Sequence, residues 1–92
     1  MTGSLYVRST TLLEAEIDED IVGLDRDRGE VFGFNQVASE VWRLIKQPQK
    51  VADLCAELVA RYDVEPARCE AEIGQLLDQM IDLKLVKRIP EA

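Results

Sequence analysis

The chain has 92 residues, 47% apolar and 32% charged, with 11 basic against 18 acidic side chains, a net charge of −7 and no histidine. A chain of this length makes one small domain that buries only ~60–65% of its unfolded surface, which excludes a two-lobed enzyme with a cleft between its halves. The acidic excess, −4 over residues 1–46 and −3 over 47–92, disfavours phosphate backbones as partners, and the missing histidine removes the commonest general base and metal ligand.

At the N-terminus, MTGSLYVR shows no basic region followed by an apolar stretch, so no secretory signal is expected. No apolar run approaches the ~20 residues of a membrane-spanning helix. A cytoplasmic protein is the expectation, with no membrane contact. Leu5 to Arg8 can form a first short strand. Leu13, Ala15 and Ile17 then alternate with Glu14, Glu16 and Asp18, the period-two pattern of a strand with one apolar face. A further strand over Ile21–Leu24 runs into Asp25-Arg26-Asp27-Arg28-Gly29, a polar hairpin loop of about four residues closing on a glycine that can take positive φ. Glu30-Val31-Phe32-Gly33-Phe34 is the return strand, with Phe32 and Phe34 inward on one face.

From Asn35, a favoured N-cap residue, the period becomes helical: Val37, Ala38, Val41, Trp42, Leu44 and Ile45 share a face up to about Lys46. Gln47-Pro48-Gln49 ends that helix. Val51, Leu54, Cys55, Leu58, Val59 and Tyr62 mark a second helix. A third starts with Pro66 at its first position and Glu65 as cap, where a missing N–H is harmless. It carries Cys69, Ile73, Leu76, Leu77, Met80 and Ile81, and Leu85–Ile89 follows as a short terminal strand. Cys55 and Cys69 have no C-x-x-C spacing and no histidine to join them, so reduced, packed thiols are expected rather than a disulfide, redox or metal site.

Three helices behind a small N-terminal three-stranded antiparallel sheet form an α+β, winged-helix-like domain, expected to span residues 1–92 with its core over about 12–89. Such domains can bind DNA through the third helix. Here that helix, from Glu65 to Lys84, carries five acids against two bases, a sign that phosphates repel. No nucleophile–base pair is legible, so no catalytic residue, metal site or cofactor is expected. What remains is a binding surface. If Glu30–Phe34 is an uncovered edge, its unpaired backbone groups are a template for one more strand, and alternate side chains of that strand can enter a groove along the third helix. Gly33, with no Cβ, would ease the approach of another backbone or would only bend the strand before Asn35. Met80 suits an adaptable apolar surface and equally a gap-filler in the core.

Taken in order, Asp20–Phe34, Asn35-Gln36-Val37-Ala38-Ser39-Glu40-Val41-Trp42-Arg43-Leu44-Ile45, Val51-Ala52-Asp53-Leu54-Cys55-Ala56-Glu57-Leu58, Arg61–Pro66 and Leu76–Val86 resemble the PqqD family over roughly residues 12–89. Lys84 stands where that family usually has glycine, a departure expected to alter the helix cap. The resemblance implies a RiPP recognition element: a non-catalytic domain that binds the leader segment of a ribosomally made precursor peptide as an added strand and presents it to a modifying enzyme. The implied enzyme partner is a leader peptidase, a cyclase or a radical SAM enzyme. Carried onto this chain, the implied peptide-binding residues are Glu30, Val31, Phe32, Gly33 and Phe34 on the strand and Arg68, Glu72, Ile73, Leu76 and Met80 on the third helix. The Arg-Asp-Arg-Gly loop and aromatic return strand look closest to lasso-peptide-type members; the alternative is a peptide chaperone in pyrroloquinoline quinone biosynthesis beside a radical SAM enzyme. Readings of a different class are a structural dimerisation subunit, in which the strand edge pairs with its own copy, and a winged-helix DNA-binding protein. Both a monomer and a homodimer are compatible with the sequence.

Overall fold

In chain order the elements are β1 (Ser4–Arg8), β2 (Leu13–Ile17), β3 (Asp20–Asp25), β4 (Glu30–Phe34), α1 (Gln36–Leu44), α2 (Val51–Arg61), α3 (Pro66–Asp82) and β5 (Val86–Pro90). They are taken from a computed structural model that describes residues 3–91; Met1, Thr2 and Ala92, at the ends of the expected unit, lie outside the described residues. The α+β, winged-helix-like class expected from the sequence is the class found. Two sheets are present rather than one. β2, β3 and β4 form an antiparallel sheet in that order, while β1 and β5 form a separate two-stranded sheet, Ser4 opposite Pro90 and Arg8 opposite Val86. The two strands of weakest sequence signal thus support one another and tie the ends of the chain together. Gln49, in the segment that ends α1, exchanges both backbone hydrogen bonds with Tyr6 (2.8 and 2.9 Å) and anchors the loop on β1.

Local chemistry sets the turns. Asp25 is buried, and its carboxylate accepts from the backbone N–H groups of Asp27 and Arg28 (both 3.1 Å), folding the loop back on itself. Gly29 closes it at φ 65°, a conformation that favours glycine. Asn35 caps α1, its side chain accepting from the Ala38 N–H at 2.9 Å. The cap expected from Glu65 does not form: its backbone is extended as an N-cap should be, but its side chain makes no capping bond, and Pro66 opens α3. At the other end of α3 the Leu85 N–H reaches Met80 O and the Lys84 N–H reaches Ile81 O, both 2.9 Å. That pair is a Schellman cap, and it puts Lys84 at φ 63°. The cap therefore forms as it would with glycine, at the expense of left-handed backbone in a residue with a Cβ. Lys84→Gly is expected to raise stability by about 0.5–1 kcal/mol, read as a higher urea midpoint at unchanged slope.

The core lies between the three-stranded sheet and the helices. Trp42 is fully buried, stacks on Phe34 with ring centroids 5.4 Å apart, and donates its indole N–H to Glu14 at 2.8 Å. Over the ring lies the Arg8 guanidinium, 4.2 Å from its centroid, which donates twice to the Trp42 carbonyl (2.9 and 2.6 Å) and once to Glu14 (3.2 Å). Burial lowers the Arg8 pKa, with the Glu14 charge opposing. The alternation of β2 is present, but its apolar side is not the one facing the core. Glu14 and Glu16 turn toward α1, where Trp42 and Arg43 take them, and Leu13 and Ile17 face solvent.

Candidate functional site

β4 is an edge strand, since in the order β2-β3-β4 no strand of the described residues lies beyond it. Antiparallel pairing alternates which residues turn their N–H and C=O toward the neighbour. At Ile21 those groups point toward β4: its N–H donates to the Ser39 hydroxyl (2.8 Å), which in turn donates to the Phe34 carbonyl (3.1 Å). Ile21 is opposite Phe34, Gly23 opposite Phe32 and Asp25 opposite Glu30. Glu30, Phe32 and Phe34 therefore bond inward to β3, and the N–H and C=O of Val31 and Gly33 point away from the sheet.

Those free groups border an open groove of about 360 Å³ between β4 and α3. Val31, Phe32, Gly33, Phe34, Asn35 and Ala38 line one side, and Leu76, Gln79, Met80 and Leu83 the other. A second pocket of about 260 Å³ shares Asn35 and Leu76 with it and extends it over Val37, Leu58, Tyr62, Val64, Cys69, Glu72 and Ile73. Adjoining at Asn35 and Leu76, the two form a trough whose lining includes the buried Phe32, Phe34, Ile73 and Met80. Arg28 closes the far end. Its guanidinium bridges Asp25 and Glu30 (both 3.0 Å), lies over Phe32 and donates to the Leu83 carbonyl at 2.9 Å, tying the hairpin loop to the end of α3. The two walls are thus cross-linked at one end and open along their length.

Of the residues singled out from sequence, Val31, Phe32, Gly33, Phe34, Leu76 and Met80 come together in the groove, and Glu72 and Ile73 in its extension. Glu30 and Arg68 stand outside the lining: Glu30 is paired with Arg28, and Arg68 with Glu72 at 3.0 Å on the exposed side of α3. A Cβ built on Gly33 meets nothing within 4 Å, because that position points to the open face of the sheet. Close approach at the edge therefore does not depend on the missing side chain. Asn35, Gln79 and Leu83 also line the groove and Arg28 closes it. In the sequence the first carries only a cap signal, the next two lie off the apolar stripe of α3, and nothing in a hairpin loop announces that its arginine reaches a helix terminus.

The groove has apolar walls, amide groups from Asn35 and Gln79, and Glu72 in its extension. Both cysteines are free and buried. Burial, with a hydrogen bond to Cys69, pushes the Cys55 thiol up to about 12, so it stays protonated and is a poor nucleophile at neutral pH. Among the described residues no group of three or more His, Cys, Asp or Glu side chains is placed to hold a metal ion. No helix among them is long and apolar enough to cross a membrane.

Two likenesses to known proteins bear on this geometry. The family model described as "Coenzyme PQQ synthesis protein D (PqqD)" matches residues 20–86, from β3 to the start of β5. A solved structure described as "TbiB1 in Complex with the TbiA(beta) Leader Peptide" superposes with a TM-score of 0.78 at 23% identity, covering 88% of this chain and 94% of that one. At that identity the likeness establishes the shared fold. No curated protein matches the chain in sequence.

Proposed function

The chain belongs to the PqqD family, and from that membership we propose that it is a non-catalytic RiPP recognition element of the cytoplasm. It captures the leader segment of a ribosomally made precursor by adding it as a strand to β4, and presents the precursor to a modifying enzyme. The observation that carries this reading is the coincidence of two features at one edge. The unpaired N–H and C=O groups of Val31 and Gly33 lie beside an apolar trough whose opposite wall is α3. A strand added there gains main-chain hydrogen bonds on one side and drops alternate side chains into the trough. The fold likeness to TbiB1, which was solved with a leader peptide bound, supports the same assignment.

Lasso-peptide-type biosynthesis is the pathway we favour, on the character of the Arg26–Gly29 loop and the aromatic β4. A second reading, pyrroloquinoline quinone biosynthesis, is favoured by the description of the matching family model. One titration tests both. Leader segments of lasso-type and quinone-type precursors encoded near this chain are added to the ¹⁵N-labelled protein. Saturable shifts are expected at the amides of Val31, Gly33 and Asn35 and along Leu76, Gln79 and Leu83, and the peptide that produces them identifies the pathway. Shifts confined to the β1–β5 sheet, or none with either class of leader, would overturn the proposal.

A further inference from the structure

The three-stranded sheet has a second surface, on the side away from the helices. Residues opposite one another across strands share a face, so the outward set is Leu13, Ala15 and Ile17 of β2, Val22 and Leu24 of β3, and Val31 and Gly33 of β4, with Asp20 at one corner opposite Ile17. Leu13, Leu24 and Val31 form a row across all three strands. Leu13, Ile17 and Val31 are 57%, 62% and 67% exposed. A sheet with one wet side ordinarily turns its polar alternates outward. Here Glu14 and Glu16 lie on the opposite side of the strand, where Trp42, Arg8 and Arg43 pair with them, and Leu13, Ile17 and Val31 are left bare beside the half-buried Val22 and Leu24. Contiguous bare apolar surface of this kind marks a protein interface.

We propose that this face docks the modifying enzyme, through an apolar surface on the enzyme that is rimmed by basic side chains. Charge argues for such an occupant. The turn at the corner of the face presents Asp18, Glu19 and Asp20 in succession, and the chain as a whole carries −7, which repels a second copy and attracts a basic rim. Position argues for it too. Val31 belongs both to this face and to the edge at which the leader is added, so an added strand widens the face by its own outward side chains. The enzyme then rests on carrier and cargo together, and docking is strengthened when the leader is bound. That last step rests on the leader-capture reading; the docking surface itself does not.

The test uses the full-length chain, its leader peptide and the enzyme encoded with them. Leu13→Ser/Ile17→Ser changes two exposed positions remote from the groove, and an unchanged circular dichroism spectrum and urea midpoint establish that the variant folds. Enzyme affinity, measured by interferometry, is expected to fall at least ten-fold while leader affinity, measured by fluorescence anisotropy, stays within two-fold. Enzyme affinity equal to that of the unsubstituted chain, or no enzyme binding by either, overturns the proposal. So does light scattering that shows a dimer which the double variant dissolves, because the occupant is then a second copy. Enzyme binding that the double variant abolishes, with no leader binding by either protein, upholds the docking face and removes the leader-capture reading instead.

Discussion

Gly33→Pro is expected to weaken leader binding by about 30- to 150-fold while changing fold stability by no more than about 1 kcal/mol. Gly33 turns its N–H away from β3, so proline removes no hydrogen bond from the protein's own sheet. Phe32 before it is already extended, as a residue preceding proline must be, and a Cβ at position 33 meets nothing within 4 Å. The added strand, however, loses a donor, is left with an unsatisfied carbonyl, and meets the proline Cδ where that carbonyl should sit. A lost hydrogen bond and an orphaned partner together are worth about 2–3 kcal/mol, which is the affinity change stated. Gly33→Ala is the control: it keeps the N–H, adds a Cβ where nothing lies within 4 Å, and should hold affinity within about two-fold. Anisotropy with a labelled leader peptide checks both. Wild-type affinity in the proline variant would mean that the peptide does not add to β4.

Trp42→Ala carries the largest expected loss of stability, about 3–5 kcal/mol. A chain of this length has only about 5–14 kcal/mol in all at the usual per-residue stability, so the variant should be partly unfolded near 37 °C. The indole is wholly buried, stacks on Phe34, supports the Arg8 guanidinium and supplies the hydrogen bond that holds Glu14 inward. Its removal leaves a cavity under β4 and releases two charged side chains that no longer have a reason to point at the core. Trp42→Phe keeps a ring against Phe34 but not the donor, and should cost about 1–2 kcal/mol. Urea denaturation followed by far-ultraviolet circular dichroism measures both without relying on the lost fluorophore. A loss below 1 kcal/mol for the alanine variant would show that the Arg8–Trp42–Glu14 cluster does not hold the sheet to α1.

The helices were largely legible, because their signals are local. Asn35 before an apolar period of 3.6, the unbroken stripe of α2, and Pro66 at the first position of α3 each act within one or two turns. β4 was legible for the same reason: Phe32 and Phe34 are two apart, and both are buried. The site was partly legible. The strand and helix positions come from the family resemblance; of these, Val31, Phe32, Gly33, Phe34, Leu76 and Met80 line the groove, while Glu30 pairs with Arg28 and Arg68 with Glu72 outside its lining. Lys84 shows the limit of reading a cap from residue type: the backbone hydrogen bonds of the Schellman motif outweigh the preference of that position for glycine.

By itself, then, the sequence determined the α+β class, the order of strands before helices, the helix starts, the hairpin loop and the aromatic strand that borders the groove. All of these follow from side-chain periodicity and from turn and cap chemistry within a few residues. Tertiary structure decided the rest. That β1 and β5 pair with each other depends on contacts more than seventy residues apart, which no local period records. Which side of β2 faces the core was decided by partners elsewhere in the chain: the buried Trp42 indole and the Arg8 guanidinium donate to Glu14, and Arg43 pairs with Glu16 nearer the surface. The same inversion bares the outer face of the sheet. The alternation Leu13-Glu14-Ala15-Glu16-Ile17 is compatible with either side inward, and only the positions of the partners select one.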